Sequence, residues 1–203
     1  MTKVLIVSKT QMNSGVCVGG IVEETCEFIR LHNEKGGILA AETPFQIGDR
    51  WILQITTAWN KRQAPHIEDK QIVANRLIEN IGTKGIIQFI QSHNLGNRLV
   101  DGRLEETFES CLCLQGTKNF INKSSVPNFS TQFWITDKDL VYYQLFDKHY
   151  YMYGSIRLKY VGYETPISRI PQGTIVRLSL ANWWNGDGSN EERCYLQLSG
   201  WYI

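Results

Sequence analysis

Short apolar runs closed by turn residues recur along this chain, and in most places nothing of helix length separates them. Val4–Val7, Cys17–Ile21 and Phe28–Leu31 follow in quick succession, and Lys35-Gly36-Gly37 supplies a turn after the third. Gly48-Asp49 then opens a stretch in which Trp51, Leu53 and Ile55 alternate with Ile52, Gln54 and Thr56. A period of two is the signature of a strand with one buried face. Strands in sequence with no crossover element between them pair antiparallel, because parallel neighbours need a long connection. The N-terminal third is therefore sheet-building material.

The middle of the chain reads differently. Between Glu68 and Asn94, the apolar residues Val73, Leu77, Ile78 and Ile81, then Ile86, Ile87 and Ile90, fall three to five apart. That spacing predicts two short helices, with Gly82-Thr83 between them and Thr83 as N-cap of the second. Strands resume at Cys111–Leu114, Phe133–Ile135 and Leu140–Phe146. A long strand is expected from His149 to about Val161, and a final pair at Thr174–Ala181 and Arg193–Tyr202. The polar stretch Asn94–Glu106 marks a boundary, giving halves at 1–98 and 99–203 or one composite domain. The expected class is mainly β, as two small barrels with short helices between them.

Composition narrows the partners. Lys plus Arg is 21 and Asp plus Glu is 20, a net charge of +1, which argues against a polybasic duplex-gripping protein. The five cysteines are odd in number and scattered, with no CxxC pair, so neither a disulfide framework nor a zinc knuckle is expected. Cys111 and Cys113 are expected as buried thiols on one face of a strand. No apolar run approaches the roughly 18 residues of a membrane span, and the N-terminus lacks a secretory pattern. A cytoplasmic protein with no membrane partner is expected.

Parity along the His149–Val161 strand puts Tyr150, Met152, Ile156 and Leu158 inward. It puts His149, Tyr151, Tyr153, Arg157 and Lys159 outward. An aromatic and cationic sheet face suits single-stranded nucleic acid, whose bases stack on rings while its phosphates meet cations. The same residues also fit a solvated strand with cross-strand Tyr–Arg pairs. In the C-terminal hairpin, Val176, Leu178 and Leu180 should oppose Cys194, Leu196 and Leu198 in the core. Arg177 and Trp201 would then face out, beside a loop carrying Trp183 and Trp184. The tryptophans contact a ligand, cap a barrel end or pack the two halves together.

Gly15-Val16-Cys17-Val18-Gly19-Gly20 lacks the spacing of a P-loop or a dinucleotide fingerprint. Its glycines form an anion nest near Lys9 or, more simply, let a strand bend at a barrel corner. The densest polar cluster is Pro65-His66-Ile67-Glu68-Asp69. His66, Glu68 and Asp69 together suit a divalent metal or acid–base work, but no second cluster supplies further ligands. The segment is therefore expected to be structural: Pro65 setting a turn, the carboxylates facing a helix start, and His66 or Glu68 bonding backbone or a nearby Arg. No catalytic residue, metal or cofactor is nominated.

The ordered set KVLIVSKTQM…GVCVGGI, FIRL, IGDRW, PHIED and VRLSLANWW…CYLQLSGWYI resembles the dual OB-containing domain, from Lys3 to Tyr202. That resemblance implies two oligonucleotide/oligosaccharide-binding barrels and a bacterial, defence-type setting. It further implies binding of nucleic acid or a nucleotide, and the aromatic and cationic sheet face makes single strands the preferred form. A protein-interaction module docking another protein of the same defence operon is the alternative, and an enzyme centred on the PHIED segment comes third. The resemblance transfers no catalytic residues.

Overall fold

The computed structural model describes residues 1–12, 14–57, 63–185 and 191–203, and of Thr57, Ala74 and Asn75 the backbone alone. The chain divides into two compact units, each discontinuous in sequence. One comprises Met1–Arg62, Glu68–Leu95 and Tyr202–Ile203; the other comprises Gln63–Ile67 and Gly96–Trp201.

The first unit contains β1 (Thr2–Met12), β2 (Gly15–Val22), β3 (Phe28–His32), β4 (Asp49–Thr57) and β5 (Asp69–Asn80), followed by helix α1 (Gly82–Ser92). The strands close into a barrel in the order β1-β2-β3-β5-β4. Neighbours are antiparallel except β3 and β5, which run parallel. Alternate residues Val4, Ile6, Val16, Val18, Ile29, Leu31, Trp51 and Leu53 fill the interior. Each such side chain contributes roughly 1.5–3 kcal/mol on burial. The glycine run of β2 serves barrel curvature: a Cβ on Gly20 would stand 2.6 Å from Val4 Cγ1, so only glycine allows this approach of β2 to β1.

Residues 69–80 form a strand, not the expected helix. Two bulges in the β4–β5 pairing, between Arg50 and Trp51 and between Gln54 and Ile55, break the alternation. They erase the period of two from the sequence and leave a spacing that mimics a helix. The apparent helix face is not core at all, since Val73, Leu77 and Ile78 are exposed. Helix α1 does form, with Ile86, Phe89 and Ile90 buried. Its N-cap is Ile81 rather than Thr83, and the Asn80 side-chain oxygen accepts from the Gly82 N–H at 2.8 Å.

The second unit contains β6 (Leu99–Gly102), β7 (Cys113–Gln115), β8 (Lys118–Asn122), β9 (Thr131–Thr136), β10 (Leu140–Leu145), β11 (Lys148–Tyr153), β12 (Ile156–Tyr160), β13 (Arg169–Ile170), β14 (Ile175–Leu180) and β15 (Arg193–Tyr202). They form one large sheet in the order β13-β10-β11-β12-β15-β14-β9-β6, with the β7–β8 hairpin joined through β8 to β15. Only Asp137–Asp139 separate β9 from β10, so the two act as one bent strand. Its first half pairs with β14 and its second with β11. Counted so, the path from the bent strand through β11, β12, β15 and β14 back to its start repeats the first unit's order. The parallel pair β12/β15 stands where β3/β5 stands in the barrel.

The expected long strand His149–Val161 is a hairpin. Gly154, at φ 58°, turns the chain between β11 and β12, in the left-handed region that favours glycine. The turn reverses the parity on its two sides, so Tyr151 and Tyr153 join Leu158 and Tyr160 in the core. Val176, Leu178, Leu196 and Leu198 share that core, with Ile156 packed at its margin. All five cysteines are free. Cys111 caps a short 3-10 turn outside β7, so it and Cys113 do not share a strand, and both are half-buried.

Candidate nucleic-acid interface

The outward face of β10, β11, β12 and β15 follows from their registers. Tyr151 pairs with Tyr142 and with Leu158, and these face the core. The flanking rows therefore point away from it. One row runs Tyr143–Tyr150–Lys159–Gln197 across four strands, and the next runs Val141–Met152–Arg157. At the hairpin tip, Leu145 opposes Lys148 beside Phe146, which is 87% exposed.

Tyr143 and Tyr150 stack with centroids 5.4 Å apart and planes 22° apart. The Arg157 guanidinium lies 4.6 Å from the Tyr150 ring centre on the same outward face, and its Nη1 donates to Tyr143 Oη at 3.1 Å. Tyr150 consequently keeps only 8% of its surface exposed. No carboxylate among the described residues pairs with Lys148, Arg157 or Lys159. The face thus joins stacked rings to unneutralised positive charge.

A second aromatic group flanks the loop between β14 and β15. Tyr195 packs against Phe120 and against Trp184, each at 5.9 Å between centroids, and Arg193 caps Phe120 at 4.1 Å. Paired backbone hydrogen bonds tie Trp184 to Arg193, leaving the indole half exposed. Trp183 is more enclosed, donating from Nε1 to the Ala64 carbonyl at 3.0 Å under the Lys123 ammonium.

Of the residues expected at a ligand site, Arg157, Lys159 and Trp184 do reach this surface. Tyr151, Tyr153 and Trp201 are core residues. Burial pushes the Tyr151 and Tyr153 hydroxyls up to about 12. Arg177 is buried as well, with Nη1 donating to Ser199 Oγ at 3.0 Å. His149 is half-buried, and its Nδ1 lies 2.8 Å from Tyr142 Oη. Lys9 stands opposite Val18, so it shares the barrel-inward parity, and its amine reaches Thr43 O at 3.5 Å. Tyr143 and Phe146 were missed, and Tyr150 was placed inside. The signal that would have placed Tyr150 outward is Gly154-Ser155, a turn dipeptide inside the supposed strand.

The PHIED segment splits between the units: His66 lies in the second, Glu68 and Asp69 in the first. No helix follows, because β5 starts at Asp69. His66 Nε2 lies 3.1 Å from the Ala181 carbonyl, which only accepts, so Nε2 carries the proton. The Cys194 thiol 3.7 Å from that nitrogen is pushed by burial up to about 12 and stays protonated. Asp69 forms an ion pair with Arg30 and lies 3.1 Å from His32 Nε2. Burial alone would raise its carboxyl, but the hydrogen bonds from His32 and Arg30 outweigh that and hold it far below the usual range. Arg30 also pairs with Gly19, so the β2–β3 face of the barrel, the counterpart of the β11–β12 face, carries an ion pair where the second unit carries stacked rings. Among the described residues, no three His, Cys, Asp or Glu side chains converge to hold a metal, and no helix is long and apolar enough to cross a membrane.

No curated protein and no solved structure matches the chain. The family model of the dual OB-containing domain matches residues 2–201. That span takes in the closed barrel and the sheet that repeats its strand order, and the chain belongs to the dual OB-containing domain family.

Proposed function

We propose that the second unit binds single-stranded nucleic acid across the outward face of β10–β12, and that the protein is a recognition module rather than an enzyme. The observation that carries this is the Tyr143–Tyr150 stack set among the cations Lys148, Arg157 and Lys159, with which no carboxylate among the described residues pairs. OB-type barrels take oligonucleotides on the face of their second and third strands and on the adjoining loops. In this unit those are β11 and β12, with the Phe146 turn and the Trp184 loop at the margins. Stacking on a ring is worth about 1–3 kcal/mol per base. Three cations on the phosphates give a log–log salt slope of about −2 for a single strand.

Anisotropy titration of fluorescein-labelled single-stranded and duplex oligonucleotides tests this. Tighter binding of the single strand, weakened in Tyr143→Ala and Lys159→Ala, is expected. A preference for duplex, or no binding at millimolar protein, overturns it. A second reading is favoured by Phe146 and Leu145, exposed apolar side chains at one hairpin tip, which suit a protein partner. The defence-type setting is inferred from the family resemblance.

A further inference from the structure

Tyr150 is the central ring of the face, yet it is closed to a ligand: Tyr143 stacks on it and the Arg157 guanidinium covers it at 4.6 Å. Arg157 is held by the Tyr143 hydroxyl and by no carboxylate among the described residues. Its tether is a single, monodentate hydrogen bond to an uncharged hydroxyl plus a cation–π contact, both weaker than a bidentate ion pair at this half-buried site. A phosphate would compete for that guanidinium, since charge-assisted, bidentate contacts are the stronger kind.

We propose that Arg157 is a gate that makes the site select ligands carrying a base and a phosphate together. The inference rests on the nucleic-acid reading of this face. The phosphate draws the guanidinium off Tyr150, and the base takes its place on the ring. A base alone must displace the cation without compensating it. A phosphate chain alone captures Arg157 but leaves Tyr150 bare. Either half therefore binds poorly, and their joint binding is cooperative through one side chain.

The test compares three probes, oligothymidylate, its abasic counterpart and thymidine, on the wild-type protein and Arg157→Ala, with Arg157→Gln as a second variant should the first unfold. The wild type should bind oligothymidylate well and the other two poorly. Removing the gate should tighten thymidine about two- to fivefold, the factor corresponding to an exposed cation–π contact. It should also weaken oligothymidylate and reduce the salt slope by about 0.7. Thymidine binding unchanged or weakened in the variant overturns the gate alone and makes Arg157 an ordinary contact. Equal wild-type affinity for the abasic chain and oligothymidylate also overturns it. A wild type that binds neither oligothymidylate nor thymidine overturns the nucleic-acid reading, and the gate with it.

Discussion

Tyr151→Phe and Tyr143→Ala make a paired test of which tyrosines belong to the core and which to the surface. The Tyr151 hydroxyl donates to the Ile167 carbonyl and accepts from the Ile167 N–H, both at 3.0 Å. Phenylalanine keeps the ring among Tyr142, Tyr160 and Trp201 but leaves both Ile167 groups without that partner. Each group stranded out of water costs about 1–3 kcal/mol, and the partial burial here places the pair near the lower bound, at about 2 kcal/mol in total. For a chain of this length that corresponds to a fall in Tm of roughly 4–8 °C if the units unfold together. Tyr143→Ala removes a half-buried outward ring and should stay within roughly 0.5–1 kcal/mol. Urea unfolding followed by tryptophan fluorescence measures both. A Tyr151→Phe protein of wild-type stability with impaired oligonucleotide binding would refute the assignment of faces.

Arg177→Ala should destabilise by about 1–3 kcal/mol, because it removes a buried guanidinium and its hydrogen bond to Ser199 Oγ, which keeps only its own bond to the Arg177 carbonyl, whereas Arg157→Ala should leave urea stability nearly unchanged. Gly20→Ala should destabilise the barrel, measured by the same unfolding curve, since its Cβ meets Val4 at 2.6 Å. Asp69 has a depressed carboxyl, so its stabilising effect is present above the unfolded-state value and lost as pH falls below about 4. Asp69→Asn should therefore flatten the acid limb of the stability–pH curve. Cys194, its thiol held at about 12, should resist a thiol reagent at mildly alkaline pH in the native state and react after unfolding.

Where one side of a strand is buried and no bulge intervenes, the fold was legible in the sequence. Trp51, Leu53 and Ile55 announce β4, and Val176, Leu178, Leu196 and Leu198 announce a shared core, because alternation is visible when the register is regular. It failed at β5, where two bulges shift the phase and exposed Val73, Leu77 and Ile78 imitate a helix face. The site failed for a related reason. A reading that ran through Gly154-Ser155 kept one parity for two strands and exchanged Tyr150 for Tyr151. Arg157 and Lys159 survived because, beyond the turn, they were counted from the right phase. Tyr143 was beyond reach of parity within one strand, since its place depends on the cross-strand partner Tyr150.

The central claim is that nucleic acid lies on the outward face of β10–β12 in the second unit. Ultraviolet cross-linking of a bound single-stranded oligothymidylate, with the adducts mapped by mass spectrometry, tests it most directly. Adducts should fall on Tyr143, Phe146 and Trp184, and on Tyr150 once Arg157 has moved. Adducts confined to β2 and β3 of the first barrel, or absent from β10–β12 altogether, would contradict it.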